Sequence, residues 1–292
     1  MSQILVSTGA LIGRPNGRNY RLLSRYVPEL QSDGIEFMMY STWYGEEREL
    51  TEYLKKEHFP IPVMHCQKTV GESLTGLVSV WDGEAFRDRF LTEEEDREAF
   101  SLGCKNFETN LKIASEIGAK TMVLHLWNGP ASDKNIEKNL ERFGTFLSLS
   151  GKYGIDLLVE NVICNQKDPM THIRRLRELY PEVRFVYDTK MAAFHNQTEL
   201  LFEPEWDWLL KEKHIRHFHI NDYGGGYMDW GNLKVLPIGA GRIDFPGFFR
   251  KLKGYSYEGA YTLEATGFDK TGAVDMDMLN RNVRSLRKLL EG

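Results

Sequence analysis

The chain has 292 residues, with 37 lysines and arginines against 42 aspartates and glutamates, a formal charge of −5, and 41% hydrophobic residues. Such a composition excludes a mostly disordered chain. The mild negative balance also argues against nucleic acid as a partner, because a phosphate-reading protein carries a basic face.

Eight short apolar runs follow one another along the chain, at residues 4–8, 35–39, 62–65, 121–125, 156–160, 183–187, 215–219 and 261–264. Runs of this length suit strands buried on both faces, as in parallel sheets. Helical segments are expected between and after them, at residues 20–30, 46–57, 93–117, 135–152, 171–180, 204–212, 246–252 and 278–290. Thr92, followed by Glu93, Glu94 and Glu95, marks an N-cap with acids that suit the helix dipole. Gly118 marks the stop. Parallel strands need crossovers, and eight such units fit an α/β fold, a single (β/α)8 TIM barrel over residues 1–292. The rival, an open doubly wound sheet binding a dinucleotide, would show GxGxxG after its first strand, and TGALIGRPNG does not. One long connection, residues 67–91, reads as a functional loop or lid.

No apolar run approaches the roughly 20 residues that span a bilayer. The start, MSQILVSTGALIG, lacks the basic segment of a signal peptide. Cys66, Cys104 and Cys164 form no CxxC pair, so reduced thiols in a cytoplasmic protein are expected.

Polar residues close the later runs: His65, His125, Glu160, Asp188, His219 and Glu264. Barrel active sites lie at the C-terminal ends of the strands, so these residues converge on one mouth. Leu158 shares a face with Glu160, Val186 with Asp188 and Val123 with His125, so each polar group caps an inward apolar column. Carboxylates gathered there cannot all stay ionised without positive charge among them. One divalent metal ion resolves this, and mixed carboxylate and imidazole ligation suits Mn²⁺, Mg²⁺, Zn²⁺ or Co²⁺. Singly, each acid reads more readily as a helix cap or a solvated loop residue than as a catalytic group; four polar groups ending consecutive strands are less easily dismissed.

His65 and His125 are candidates for substrate binding, or hydrogen-bonded mouth residues. His217 lies deeper and reads as structural, whereas His58, His172 and His214 are expected at the surface. Trp43, Trp127, Tyr223 and Trp230, in loops after the strands, offer walls for the C–H faces of a sugar, or plain loop packing. Lys190 would face the mouth if its strand continued, where it could bind substrate or attack a carbonyl; as a loop residue it would be solvated.

The stretches LLVEN (157–161), FVYDT (185–189), HFHIND (217–222), LPIGAGRIDF (236–245) and YTLEA (261–265) resemble the xylose-isomerase-like TIM barrel superfamily. That group holds sugar isomerases and epimerases together with endonuclease-four-type relatives. The first half matches in rhythm, through GIEFM, VMHC and GAKTMVLH. The resemblance implies that Glu160, Asp188, His219 and Glu264 ligate one divalent metal, with Glu160 and Glu264 as the acid/base pair flanking the substrate. A metal against the carbonyl and hydroxyl oxygens stabilises the enediolate formed when a neighbouring C–H is deprotonated. A proton removed on one face and returned on the other gives an epimer; one shuttled between carbons gives an aldose–ketose isomer.

Two departures stand out. Met191 occupies the histidine position of the family's DTxH, with His195 the residue that could reach back from the loop. Val235 and Ala240 replace ligands of the multi-zinc nucleases, which argues against a phosphodiesterase. The expected function is a metal-dependent isomerase or epimerase of a sugar or related polyol ketone. The alternatives are an inosose-dehydratase-like lyase on the same site, an apurinic endonuclease-like hydrolase, and a sugar-binding barrel without turnover. The expected partner is a small-molecule sugar or polyol, without a membrane; a homo-oligomer is compatible.

Overall fold

All eight apolar runs contain strands in the computed structural model, which describes residues 2–292. In chain order the strands are β1 (Ile4–Ser7), β2 (Gly34–Met38), β3 (Val63–His65), β4 (Leu77–Trp81), β5 (Phe86–Phe90), β6 (Thr121–Leu124), β7 (Asp156–Glu160), β8 (Arg184–Asp188), β9 (Ile215–Ile220) and β10 (Ala260–Leu263). Eight of them close a parallel barrel in the order β1-β10-β9-β8-β7-β6-β3-β2, while β4 and β5 pair separately. The fold is a (β/α)8 TIM barrel with helices around it.

Alternation along each strand separates two apolar layers. Leu5, Val63, Val123, Leu158 and Val186 form a plug inside the barrel. Their chain neighbours, such as Val6, Met64, Met122, Val159 and Phe185, point outward into the larger core shared with the helices. Because side chains alternate with a period of two, the inward residue two positions beyond Val123, Leu158 and Val186 is His125, Glu160 and Asp188. The plug is thus the floor on which the polar mouth stands.

The helices follow the expected rhythm with local exceptions. Helix Glu93–Ile117 opens with a reciprocal Thr92–Glu95 capping box and ends at Gly118. Residues 20–30 are not one helix but a 3-10 turn, four α-helical residues and a second 3-10 turn, with Pro28 early in the last; proline removes a backbone donor and cannot continue an interior turn. Residues 204–212 yield only the short helix Trp208–Lys211. By contrast, residues 246–252 lie within a full helix, Phe245–Lys253, capped by Asp244. A helix that periodicity did not suggest, Thr189–Phe194, begins directly after β8 with Asp188 as its cap.

The long connection after β3 is not a structureless loop. It is a 3-10 segment, Lys68–Leu74, followed by the β4–β5 hairpin, whose turn Asp82 closes by accepting from the amides of Glu84 and Ala85, each at 2.9 Å. Trp81, Phe86 and Phe90 on this hairpin are 56%, 53% and 72% exposed. Among the described residues, no helix is long and apolar enough to cross a membrane. Cys66, Cys104 and Cys164 are free thiols.

Candidate active site

Glu160, Asp188, His219 and Glu264 come together at the C-terminal end of the barrel, each offering a ligand atom within 4.8 Å of the others. Their positions follow from register. Asp188 pairs with His219 across β8 and β9, and Thr262 with His219 across β9 and β10, which sets Glu264 one inward step further on.

Amides lock this geometry. Asn161, directly after Glu160, accepts from the Asp188 N–H at 2.6 Å and donates to the Asp188 carbonyl at 3.1 Å. Asn221 donates to Asp188 Oδ2 at 2.9 Å and to Glu264 Oε2 at 3.0 Å, and accepts from the Glu264 N–H at 3.1 Å. Asp188 Oδ1 accepts from the N–H groups of Lys190 and Met191 at the start of helix Thr189–Phe194. A carboxylate at a helix N-terminus is favoured by the free amides there.

His219 carries the orientation of the centre. Its Nδ1 lies 3.2 Å from Glu160 Oε1 and 3.7 Å from Glu264 Oε1, and its Nε2 lies 3.2 Å from Glu36 Oε2. Glu36 is fully buried on β2, and its Oε2 also accepts from His217 Nε2 at 2.9 Å and Thr262 Oγ1 at 2.8 Å. A carboxylate behind a histidine fixes the ring: Nε2–H donates to Glu36, which turns Nδ1 toward Glu160 and Glu264.

Two more rings close the far side. His65 donates from Nδ1 to the Cys66 carbonyl at 2.7 Å and brings Nε2 to 3.4 Å from Glu160 Oε2. His125 holds Nδ1 3.0 Å from Asn128 Oδ1, with Nε2 2.8 Å from Glu160 Oε2 at an angle unsuited to a hydrogen bond. His65, His125 and Glu160 also form a compact set of possible ligands.

Carboxylates and imidazoles share this pit and perturb one another. Burial opposes the charge of Glu160, yet the His219 and His125 rings hold it well below the carboxylate range. Burial pushes Asp188 up to about 6; Lys190 pulls against this, while the charges of Glu160 and Glu264 add to it. Burial lowers His125 and works against a charge on His219, but Glu36, Glu264 and Glu160 raise His219 well above its ordinary value. Three carboxylates and the His219 Nδ1, once its proton is displaced, are an oxygen-rich donor set that fits a divalent ion.

The remaining expected residues lie elsewhere. Trp127 is fully buried behind the mouth, with its indole N–H donating to the Val162 carbonyl at 2.9 Å and its ring edge-on to His172. Trp43 and Tyr223 are likewise buried in loop packing, while Trp230 is 49% exposed. His195 does not reach the four-residue group: its Nε2 accepts from the Cys164 N–H at 3.0 Å. Lys190 is not a solvated loop residue; β8 ends at Asp188 and Lys190 is buried in the next helix. His172 and His214 are also buried rather than at the surface: His172 Nε2 pairs with Asp133 at 2.8 Å, and His214 Nδ1 donates to the Val183 carbonyl at 2.7 Å. Glu36, Asn221 and Lys68 were not singled out from the sequence. Glu36 had a signal, since it is an acid at an inward position of the apolar run GIEFM.

The base of the loop after β9 is gathered by the Asp222 side chain, with Tyr223 and Arg242 bonding further along it. Asp222 accepts from the backbone N–H groups of Tyr223, Gly239, Gly241 and Ile243 at 2.8 to 3.1 Å. A Cβ on Gly241 would stand 2.4 Å from Asp222 Oδ1, so the LPIGAG motif needs glycine there.

Comparison with known proteins matches this architecture. A 3-keto-D-glucoside 4-epimerase from E. coli superposes with a TM-score of 0.66 at 17% identity, covering 99% of this chain and 100% of that one. An L-ribulose 3-epimerase superposes at 0.67 with 12% identity, covering 100% and 95%. The IOLI protein with a bound zinc atom superposes at 0.66 with 13% identity, covering 99% and 98%. No curated protein matches the sequence. The family described as xylose isomerase-like TIM barrel matches residues 25–289, nearly the whole barrel, and the chain therefore belongs to that family.

Proposed function

We propose that the protein is a divalent-metal-dependent isomerase or epimerase of a sugar or related polyol ketone, with Glu160 and Glu264 as its acid/base pair. The observation that carries this reading is the convergence of Glu160, Asp188, Glu264 and the Nδ1 of His219, backed by Glu36. Neighbours sharing the fold include epimerases of keto-glucoside and ribulose and a zinc-holding protein, which supports the same direction.

Glu160, Asp188, His219 and Glu264 would hold the ion, Mn²⁺, Mg²⁺, Zn²⁺ or Co²⁺, and a bound dication supplies Lewis acidity to a carbonyl and its neighbouring hydroxyl. Glu160 ends β7 and Glu264 directly follows β10, two strands that β8 and β9 separate. Both are ionised at neutral pH: burial opposes their charge, but His219 lowers each, with help from His125 at Glu160 and Lys68 at Glu264. One carboxylate would accept the proton from the carbon beside the carbonyl; for an epimer the other, having first taken a proton from solvent, would deliver it to the opposite face, and for an isomer the first would pass its own proton to the neighbouring carbon. Asn221 keeps Glu264 aimed and Asp188 spaced, while Glu36 prevents His219 from turning.

Metal analysis of the purified protein, followed by solvent-deuterium exchange across ketoses, polyol ketones and hydroxypyruvate, tests the reading. About one dication per chain and exchange beside a carbonyl are expected. A metal-free protein that exchanges at full rate sinks it. Product mass separates the lyase reading, since dehydration loses water.

A further inference from the structure

Many basic side chains on the outer surface reach a carboxylate: Arg21 pairs with Glu49, Arg89 with Glu95, Arg174 with Glu205 and Arg177 with Glu212. Two at the mouth do not. Lys68 opens the 3-10 segment after β3 and faces Glu264, Glu160, Tyr40 and Asp188, yet among the described residues it makes no ion pair or side-chain hydrogen bond. Gly71 anchors that segment against the mouth, since a Cβ there would meet the His125 carbonyl oxygen at 2.0 Å.

Arg18 comes from the loop after β1, and its guanidinium lies over the Tyr40 ring at 5.1 Å, again with no carboxylate partner. Its backbone is held in the left-handed region at φ 53°, with its carbonyl accepting from the Trp43 indole at 2.9 Å. That conformation costs free energy for a residue with a Cβ, so glycine or asparagine would be the easier choice. Tyr40 lies within the field of both cations and of Glu264, with the Arg18 guanidinium over its ring.

Charge balance gives the pair a purpose. Glu36, Glu160, Asp188 and Glu264 are offset by one dication, Lys190 and Lys68. Arg18 then leaves one positive charge unanswered in a half-closed site, where an ion pair is worth more than in open water.

We propose that Arg18 and Lys68, set around Tyr40, form an oxyanion subsite beside the reaction centre, so that the substrate is a keto sugar bearing a carboxylate or a phosphate. The proposal rests on the isomerase reading for the neighbouring centre. The cations hold the charged tail while the carbonyl end lies among Glu160, Asp188, His219 and Glu264.

The test is calorimetric titration of the full chain, saturated with Co²⁺, with D-fructose, D-fructose 6-phosphate and 5-keto-D-gluconate. At least one anionic probe should bind about tenfold or more tightly than fructose, the equivalent of about one partly buried ion pair. The ratio of anionic to neutral affinity should fall to within about twofold in Arg18→Met and in Lys68→Met, and be largely kept in R18K and K68R, with thermal midpoints showing that all four fold. Whichever anionic probe leads identifies the tail as phosphate or carboxylate. Equal affinity for all three probes overturns the subsite, as does a failure of every probe to bind. A preference that survives both methionine variants also overturns it, because the anion is then binding the metal directly. Exchange of solvent deuterium is scored separately: its absence from every bound probe sinks the isomerase reading and leaves the affinity ratio as it stands.

Discussion

Two buried clusters in this molecule use the same donor types and differ in how they are satisfied. At the mouth, Glu160, Asp188, His219 and Glu264 face one another. Behind it, Asp133, His172 and Cys164 are equally close and equally buried. Yet Asp133 accepts from the backbone N–H groups of Asn165, Gln166 and Lys167 and from His172 Nε2, so its carboxylate is fully met by donors. At the mouth Asp188 also takes amide donors, but Glu160 has only histidine rings against it and Glu264 a single Asn221 amide and the His219 ring, while the three carboxylates face one another. Composition and spacing alone do not separate a candidate metal site from a structural staple; under the proposed reading the unanswered charge does.

Breaking the mouth should have the largest effect. Glu160→Gln should remove solvent-deuterium exchange by about 10³-fold, within the range for losing a positioned acid/base group, and lower metal content by plasma emission analysis. Adding Co²⁺ to metal-depleted wild type should raise its stability, by about 2.7 kcal/mol at a hundred times the dissociation constant, and Asp133→Asn should show the same increment. Loss of that increment in the Asp133 variant would erase the distinction between the clusters.

The second cluster should show its role in stability. Asp133→Asn should cost about 2–3 kcal/mol in urea unfolding, the range for hydrogen bonds to a buried charged group. Against the cost of burial, His172 and the three amides hold the Asp133 carboxyl well below its ordinary value. Its contribution is therefore present at neutral pH and lost as pH falls through the folded-state pKa, so the gap between variant and wild type should narrow in acid. Full stability in Asp133→Asn contradicts the staple.

A smaller effect separates orienting from ligating. Glu36→Gln should weaken metal affinity about 10- to 100-fold, as for other carboxylates behind a ligating histidine, while circular dichroism stays native. The smallest effect is expected at Trp127→Phe, about 1 kcal/mol for the bond to Val162, with KM within about twofold; a large rise in KM would return Trp127 to the substrate wall.

The barrel was legible because its signal is local. Short apolar runs, each closed by a polar residue, need only the two-residue period of a strand to say which groups share a face. The four mouth residues were legible for the same reason. What the pattern could not show depends on partners far apart in sequence. Glu36 meets His217 and His219 from the other end of the chain, and Lys68 acquires its neighbours only when the barrel closes. His172 looked like a surface residue on its helix until Asp133, 39 positions earlier, was brought against it. Lys190 was misplaced because Asp188 caps a helix that begins where the strand was read to continue.

Asp222 has a consequence beyond its loop. Since one carboxylate gathers amides from residues 223, 239, 241 and 243, it fastens the stretch on both flanks without help from any bound molecule. The tip between those anchors, where Tyr227 and Trp230 stand exposed, can be rewritten by mutation while its base stays put. A rim that is already assembled spares an incoming molecule the entropy of ordering it, and it gives the scaffold a place to change its preferences without disturbing the centre beneath.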